Sequence, residues 1–167
     1  MHLHKYERIW LLFGTGSLVV FLLIIGFGAF YKGAQPPSEK ITIDPQNVEA
    51  QESFKKENLG LTKVEDGKYI VNVVASAFNY DLGKDEDGSN VKKLRIPKGS
   101  TVLFQVTSKD VVHGFELAGT NVNMMVEPGY ISSYETELNE TGEYTLVCNE
   151  YCGTGHHLMF AEVEVYE

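Results

Sequence analysis

From Ile9 to Tyr31 the chain runs for 23 residues without a charged side chain. No other stretch constrains the fold as strongly. Lipid supplies no hydrogen-bond partners, so a lone apolar segment inside it must satisfy its own backbone, and only a helix does that. About 20 such residues cross the hydrocarbon core. The apolar region of a cleaved signal peptide is shorter, about 7–15 residues. The segment is therefore read as one retained transmembrane helix, with Trp10 and Tyr31 as its interfacial rings. Lys5 and Arg8 precede the span, while Lys32 follows it with Glu39 soon after. This asymmetry favours an N-terminus inside the cell membrane and the remaining chain on the extracytoplasmic side.

The rest of the chain folds in water. Residues 33–64 open on Pro36-Pro37, are polar, and read as a linker with one short helical turn. Residues 65–167 are rich in β-branched side chains and punctuated by glycine. Strand patterns fall at Lys68–Ala77, Leu94–Ile96, Thr101–Thr107, Val122–Glu127, Ile131–Thr136, Glu143–Val147 and Met159–Tyr166. An exposed loop at 81–90 and turns at Pro97-Lys98-Gly99 and Asn139–Gly142 separate some of them. Short strands at this spacing predict an all-β, antiparallel sandwich or barrel.

Without residues 1–32, 11 basic and 22 acidic residues remain, net −11. Such a surface repels nucleic acid and favours a basic protein partner through steering, or serves solubility alone. The chain has two cysteines, so no disulfide framework staples it, and no C-x-x-C-H attaches a haem.

Both cysteines fall in one string, Cys148-Asn-Glu-Tyr-Cys152-Gly-Thr-Gly-His156-His-Leu-Met159. Thiolate, imidazole and thioether are soft donors that select copper over hard cations. One cysteine suits a single blue copper; two allow both sulfurs to bridge a pair. In that arrangement His113, from Asp110-Val-Val-His113, and His156 cap one copper each. Met159 and the carbonyl of Glu150 add weak donors. The same residues leave other readings open. Cys148, Cys152, His113 and His156 make a closed Cys2His2 zinc set, and the two thiols make a disulfide in an oxidising compartment. Met159 also suits the core, as Met124 and Met125 do, and His157 lacks the spacing of a ligand.

This string, with the upstream Asp110-Val-Val-His113-Gly-Phe and Glu127-Pro-Gly, resembles subunit II of haem-copper cytochrome c oxidases. The resemblance runs from about Tyr69 to the C-terminus. It implies a cupredoxin-like Greek-key barrel carrying a two-copper CuA centre, with one N-terminal transmembrane helix. The single span is similar to the B-family branch rather than to subunits with a helical hairpin. The ligands it implies are His113, Cys148, Cys152, His156, Met159 and the carbonyl of Glu150. In the mitochondrial-like branch the side chain at position 150 also binds magnesium; resemblance to the single-span branch counts against that metal here. Phe78 and Tyr80 match the aromatic positions through which electrons arrive, and suit barrel packing equally; Asp110 matches a residue that supports His113 or touches subunit I. The implied partners are a haem-bearing subunit I and, with no fused cytochrome domain in this sequence, a separate cytochrome c donor. The rival reading is a membrane-anchored copper-binding or copper-delivery protein without an oxidase partner.

Overall fold

The computed structural model describes residues 4–31, 38–85 and 87–167, with 38–40 described by backbone alone. Lys32 and Pro36-Pro37 lie outside the described residues, as does Glu86 in the acidic loop. The chain divides into two compact units, Met1–Pro36 and Pro37–Glu167.

The first unit is one helix, α1, Lys5–Tyr31. At 1.5 Å per residue it is about 40 Å long, against a hydrocarbon core of about 30 Å. It is long and apolar enough to cross a membrane, and none of its side chains is buried in protein. Such a surface suits lipid, where the apolar side chains face a solvent of their own kind.

The second unit holds eleven strands among the described residues. They are β1 Ser38–Thr42, β2 Gly60–Glu65, β3 Lys68–Ser76, β4 Asn79–Asp81, β5 Lys93–Pro97 and β6 Ser100–Ser108. They continue as β7 His113–Leu117, β8 Asn123–Val126, β9 Tyr130–Leu138, β10 Gly142–Val147 and β11 Phe160–Tyr166. One sheet has the order β1-β9-β6-β3-β2 with β4 on β3, and the other β5-β11-β10-β7-β8. The chain passes repeatedly between the sheets, in a cupredoxin-like Greek-key arrangement. Alternation explains the core: in β11, Ala161, Val163 and Val165 turn inward while Phe160, Glu162 and Tyr166 are exposed. Val71, Val73, Val102, Phe104 and Val106 face them from the first sheet.

Two expectations need correction. The sheets are mixed rather than antiparallel, because β3 pairs with β6 and β5 with β11 in parallel. Strand spacing along a chain does not encode direction when the connection crosses to the other sheet.

The linker expected over 33–64 is, in its described part, built into the barrel. β1 pairs with β9 and β2 with β3. Between them three short 3-10 turns span Val48–Asn58, and Val48 and Phe54 are buried against Val74 and Ile131. Those turns cover the outer face of β3, which explains why Val71–Ala75 is buried on both faces. The continuous apolar run in β3 was the available signal, since strands covered on both sides lose their alternation.

Candidate metal centre

The ligand loop joins β10 to β11, and sheet register closes its base. Val147 pairs with Phe160, and the Cys148 amide donates to the Met159 carbonyl at 3.2 Å. The string 148–159 therefore begins and ends side by side. A 3-10 turn over His156–Leu158 folds the loop back, with the Met159 amide donating to the His156 carbonyl at 3.1 Å. The distant histidine arrives through β7. Leu117 and Glu116 pair with Leu146 and Val147, so the first residue of β7, His113, lies beside Cys148.

The donor atoms converge around the two sulfurs. Cys148 Sγ and Cys152 Sγ stand 3.8 Å apart. From Cys148 it is 3.9 Å to His113 Nδ1 and 3.2 Å to the Glu150 carbonyl. From Cys152 it is 3.6 Å to His156 Nδ1 and 3.8 Å to Met159 Sδ. Atoms that share a metal at about 2.0–2.3 Å stand no more than about 4.6 Å apart, and every one of these separations fits. The sulfurs are free thiols, far outside the roughly 2.05 Å of a disulfide. His113, Met159 and both cysteines are buried and His156 is partly so, which keeps water from the sulfurs. His157 is exposed and makes none of these contacts; Met124 is core and Met125 half-exposed.

Asp110 supports His113. Its Oδ1 lies 2.8 Å from His113 Nε2 and accepts the Val111 amide, and its Oδ2 accepts the Ala77 amide at 2.6 Å. Burial works against this carboxylate, but hydrogen bonds from His113, Val111 and Ala77 outweigh it and hold its pKa below the usual value. An ionised Asp110 accepts a hydrogen bond from the protonated Nε2 of His113, which leaves the Nδ1 lone pair facing Cys148 for a metal. Around Cys152, burial and the neighbouring Cys148 push the thiol pKa up, against backbone amides of Phe78 and Cys152 that pull it down. A bound cation favours the thiolate and overrides that burial.

The two aromatic candidates part company. Phe78 is 41% exposed and sits over the loop, so close that a Cβ on Gly155 would lie 2.7 Å from its Cγ. It holds φ +68, a left-handed conformation unusual for a bulky residue. Tyr80 is only 5% exposed and donates its hydroxyl to the Gly114 carbonyl. It packs edge-on against Phe115, so no docking protein touches it.

Gly114, missed in the sequence, is tightly placed beside the candidate donors. A Cβ there would meet Asn149 Oδ1 at 1.8 Å and the Asn149 amide at 2.7 Å. Its own amide donates to Cys148 Sγ at 3.4 Å. Gly114→Ala is expected to push the ligand loop away from β7 and to cost about 1–3 kcal/mol, read as a lower denaturation midpoint together with weaker metal retention. The signal in the sequence was a glycine directly after His113.

With this geometry in place, similarity to known proteins is direct. Residues 68–165 match the family described as cytochrome C oxidase subunit II, periplasmic domain. Cytochrome c oxidase subunit 2 of Thermus thermophilus is 33% identical over 164 residues, 97% of this chain and 92% of that protein. A probable cytochrome c oxidase subunit 2 of Streptomyces coelicolor is 34% identical over 91 residues, 52% of this chain but 28% of that longer protein. Among solved structures, a chain of a heme-copper terminal oxidase dimer superposes with a TM-score of 0.78 at 30% identity, over 97% of this chain and 100% of that one. Soft donors gathered at one end of the barrel and a match along nearly the whole length point the same way: the chain belongs to the cytochrome c oxidase subunit II family.

Proposed function

We propose that this chain is the electron-accepting subunit of a haem-copper oxidase, taking electrons from a cytochrome c and passing them to a haem in subunit I, where oxygen is reduced to water. The observation that carries this reading is the cluster of six donors within 3.2–3.9 Å of one or other of two facing thiols. Two four-coordinate metals need eight ligand positions, and six donors supply eight when both thiolates are shared. A single closed zinc site takes four donors and leaves Met159 and the Glu150 carbonyl without a purpose. The two thiolates and the Met159 thioether are soft donors that select copper.

When bound there, a copper pair supplies one-electron exchange with little rearrangement. Everything else is the work of the chain. Cys148 and Cys152 would hold the metals jointly, His113 and His156 would hold one each, and Met159 and the Glu150 carbonyl would add weak donors. Asp110 keeps His113 in its ligating tautomer. Sheet register at both ends of the loop holds these side chains still, so little reorganisation accompanies electron exchange. Phe78, exposed above the loop, is the surface through which electrons arrive. Helix α1 anchors the chain as a single pass in the cell membrane, N-terminus inside, with the copper domain on the extracytoplasmic face.

The test uses the full chain in detergent, loaded with copper. Two coppers per chain, with one unpaired electron showing hyperfine coupling to both nuclei, are the expected result. One copper, or zinc without a paramagnetic signal, overturns the reading. Co-purification with a haem-bearing membrane subunit separates the oxidase reading from copper delivery.

A further inference from the structure

Tyr80 makes none of the five donor contacts, yet its hydroxyl bonds to Gly114, whose amide donates to Cys148 Sγ. Its ring is locked by the edge-on contact with Phe115, centroids 5.7 Å apart, and by pairing of β4 with β3, Tyr80 opposite Ala75. Its hydroxyl therefore has a fixed position, and it donates to the carbonyl of Gly114 in the core. A phenylalanine would fill this site without a polar group to bury. A buried hydroxyl contributes only about 1 kcal/mol net even when bonded, so stability alone is a weak reason for it.

Gly114 is where the hydroxyl acts. Lacking a Cβ, glycine has the widest backbone freedom of any residue, and here it connects the ligand His113 to Phe115. Its amide reaches Cys148 Sγ at 3.4 Å, while its Cα lies against Asn149. The carbonyl that Tyr80 holds and the amide that reaches the sulfur flank the same Cα. Holding one limits rotation of the other.

We propose that Tyr80 is a positioning residue of the metal centre: its hydroxyl fixes the Gly114 carbonyl and so keeps the Gly114 amide aimed at the Cys148 sulfur. The inference rests on the copper reading above. An amide donated to a metal-bound sulfur draws electron density from it and stabilises the reduced state, and hydrogen bonding at such sulfurs tunes potential. Loosening that bond favours the oxidised state.

The experiment compares wild type with Tyr80→Phe, both as full chains in detergent, in two measurements. The first is a redox titration of the copper-loaded protein with copper per chain measured alongside. The exchange equilibrium with a one-electron donor is expected to shift roughly threefold to tenfold toward the oxidised chain, a tenfold shift being about 59 mV, with copper per chain unchanged. The second is amide hydrogen exchange in the metal-free chain. Gly114 is expected to exchange faster, while the Leu117 amide, bonded to the Val122 carbonyl at 3.0 Å, serves as reference and does not change.

An unchanged potential in a variant holding its full copper overturns the proposal, even if the variant unfolds more easily. Should the variant fail to load copper, unchanged protection at Gly114 in the metal-free chain overturns it equally. Failure of the wild type to bind a copper pair overturns the functional reading instead, and the exchange measurement still decides the role of Tyr80.

Discussion

Cys152→Ser is expected to abolish the two-copper signal while leaving the barrel folded. Cys152 Sγ is the hub of the site, 3.8 Å from Cys148 Sγ, 3.6 Å from His156 Nδ1 and 3.8 Å from Met159 Sδ. A serine hydroxyl stays protonated near neutral pH and is a hard donor. It offers neither the charge nor the softness to serve two metals together. His156 and Met159 then lose the sulfur through which they join the cluster. The fold survives because β10 and β11 are paired over six positions before the loop begins. Burying the hydroxyl costs about 1–3 kcal/mol, within the 5–15 kcal/mol typical of a domain. Copper content and the electron paramagnetic resonance spectrum of the loaded variant provide the check. A variant that keeps both coppers and the shared-electron spectrum would refute the bridging assignment.

Phe54→Ala carries the second large effect, and it is one of stability alone. Phe54 is fully buried in a small cluster with Val48, Val74 and Ile131, roofing the outer face of β3. Truncating a buried phenylalanine typically costs about 3–5 kcal/mol, a large share of the total stability. Denaturant unfolding of the soluble unit's tyrosine signal in the full chain measures it. The cluster lies on the opposite face of β3 from the main core, which holds both cysteines. Copper per chain in the folded variant is therefore expected to match wild type. A loss below about 1 kcal/mol would mean that residues 48–58 are a loose strap rather than part of the barrel.

These two residues show how unevenly the molecule is written in its sequence. Cys152 and its neighbours are legible because their chemistry is local: four side chains within a dozen positions have few other uses together. The helix is legible for the same reason, as a run of uncharged residues long enough for a membrane. Phe54 is not legible. It lies in a polar stretch with three prolines, Pro36, Pro37 and Pro45, and its burial depends on Val74 and Ile131, far along the chain. Composition described that stretch as linker, whereas β1 and β2 close two edges of a sheet.

Aromatic side chains divide in a similar way. Phe78 and Tyr80 are two residues apart and equally plausible as surface contacts when read in order. Phe78 stands in a left-handed turn over Gly155, while Tyr80 faces inward in β4. Alternation alone would have placed both on one face, and the positive φ at Phe78 breaks that rule.

The sequence by itself determined the helix, the all-β character and the soft donor set, because each depends on residues close together in the chain. Tertiary structure alone decided how His113 reaches Cys148, through the pairing of β7 with β10, and that the strands are mixed in direction. It also decided that Tyr80 is buried rather than exposed at the surface. Those facts depend on register between strands distant in sequence, and register is set by how two whole faces pack rather than by any local pattern.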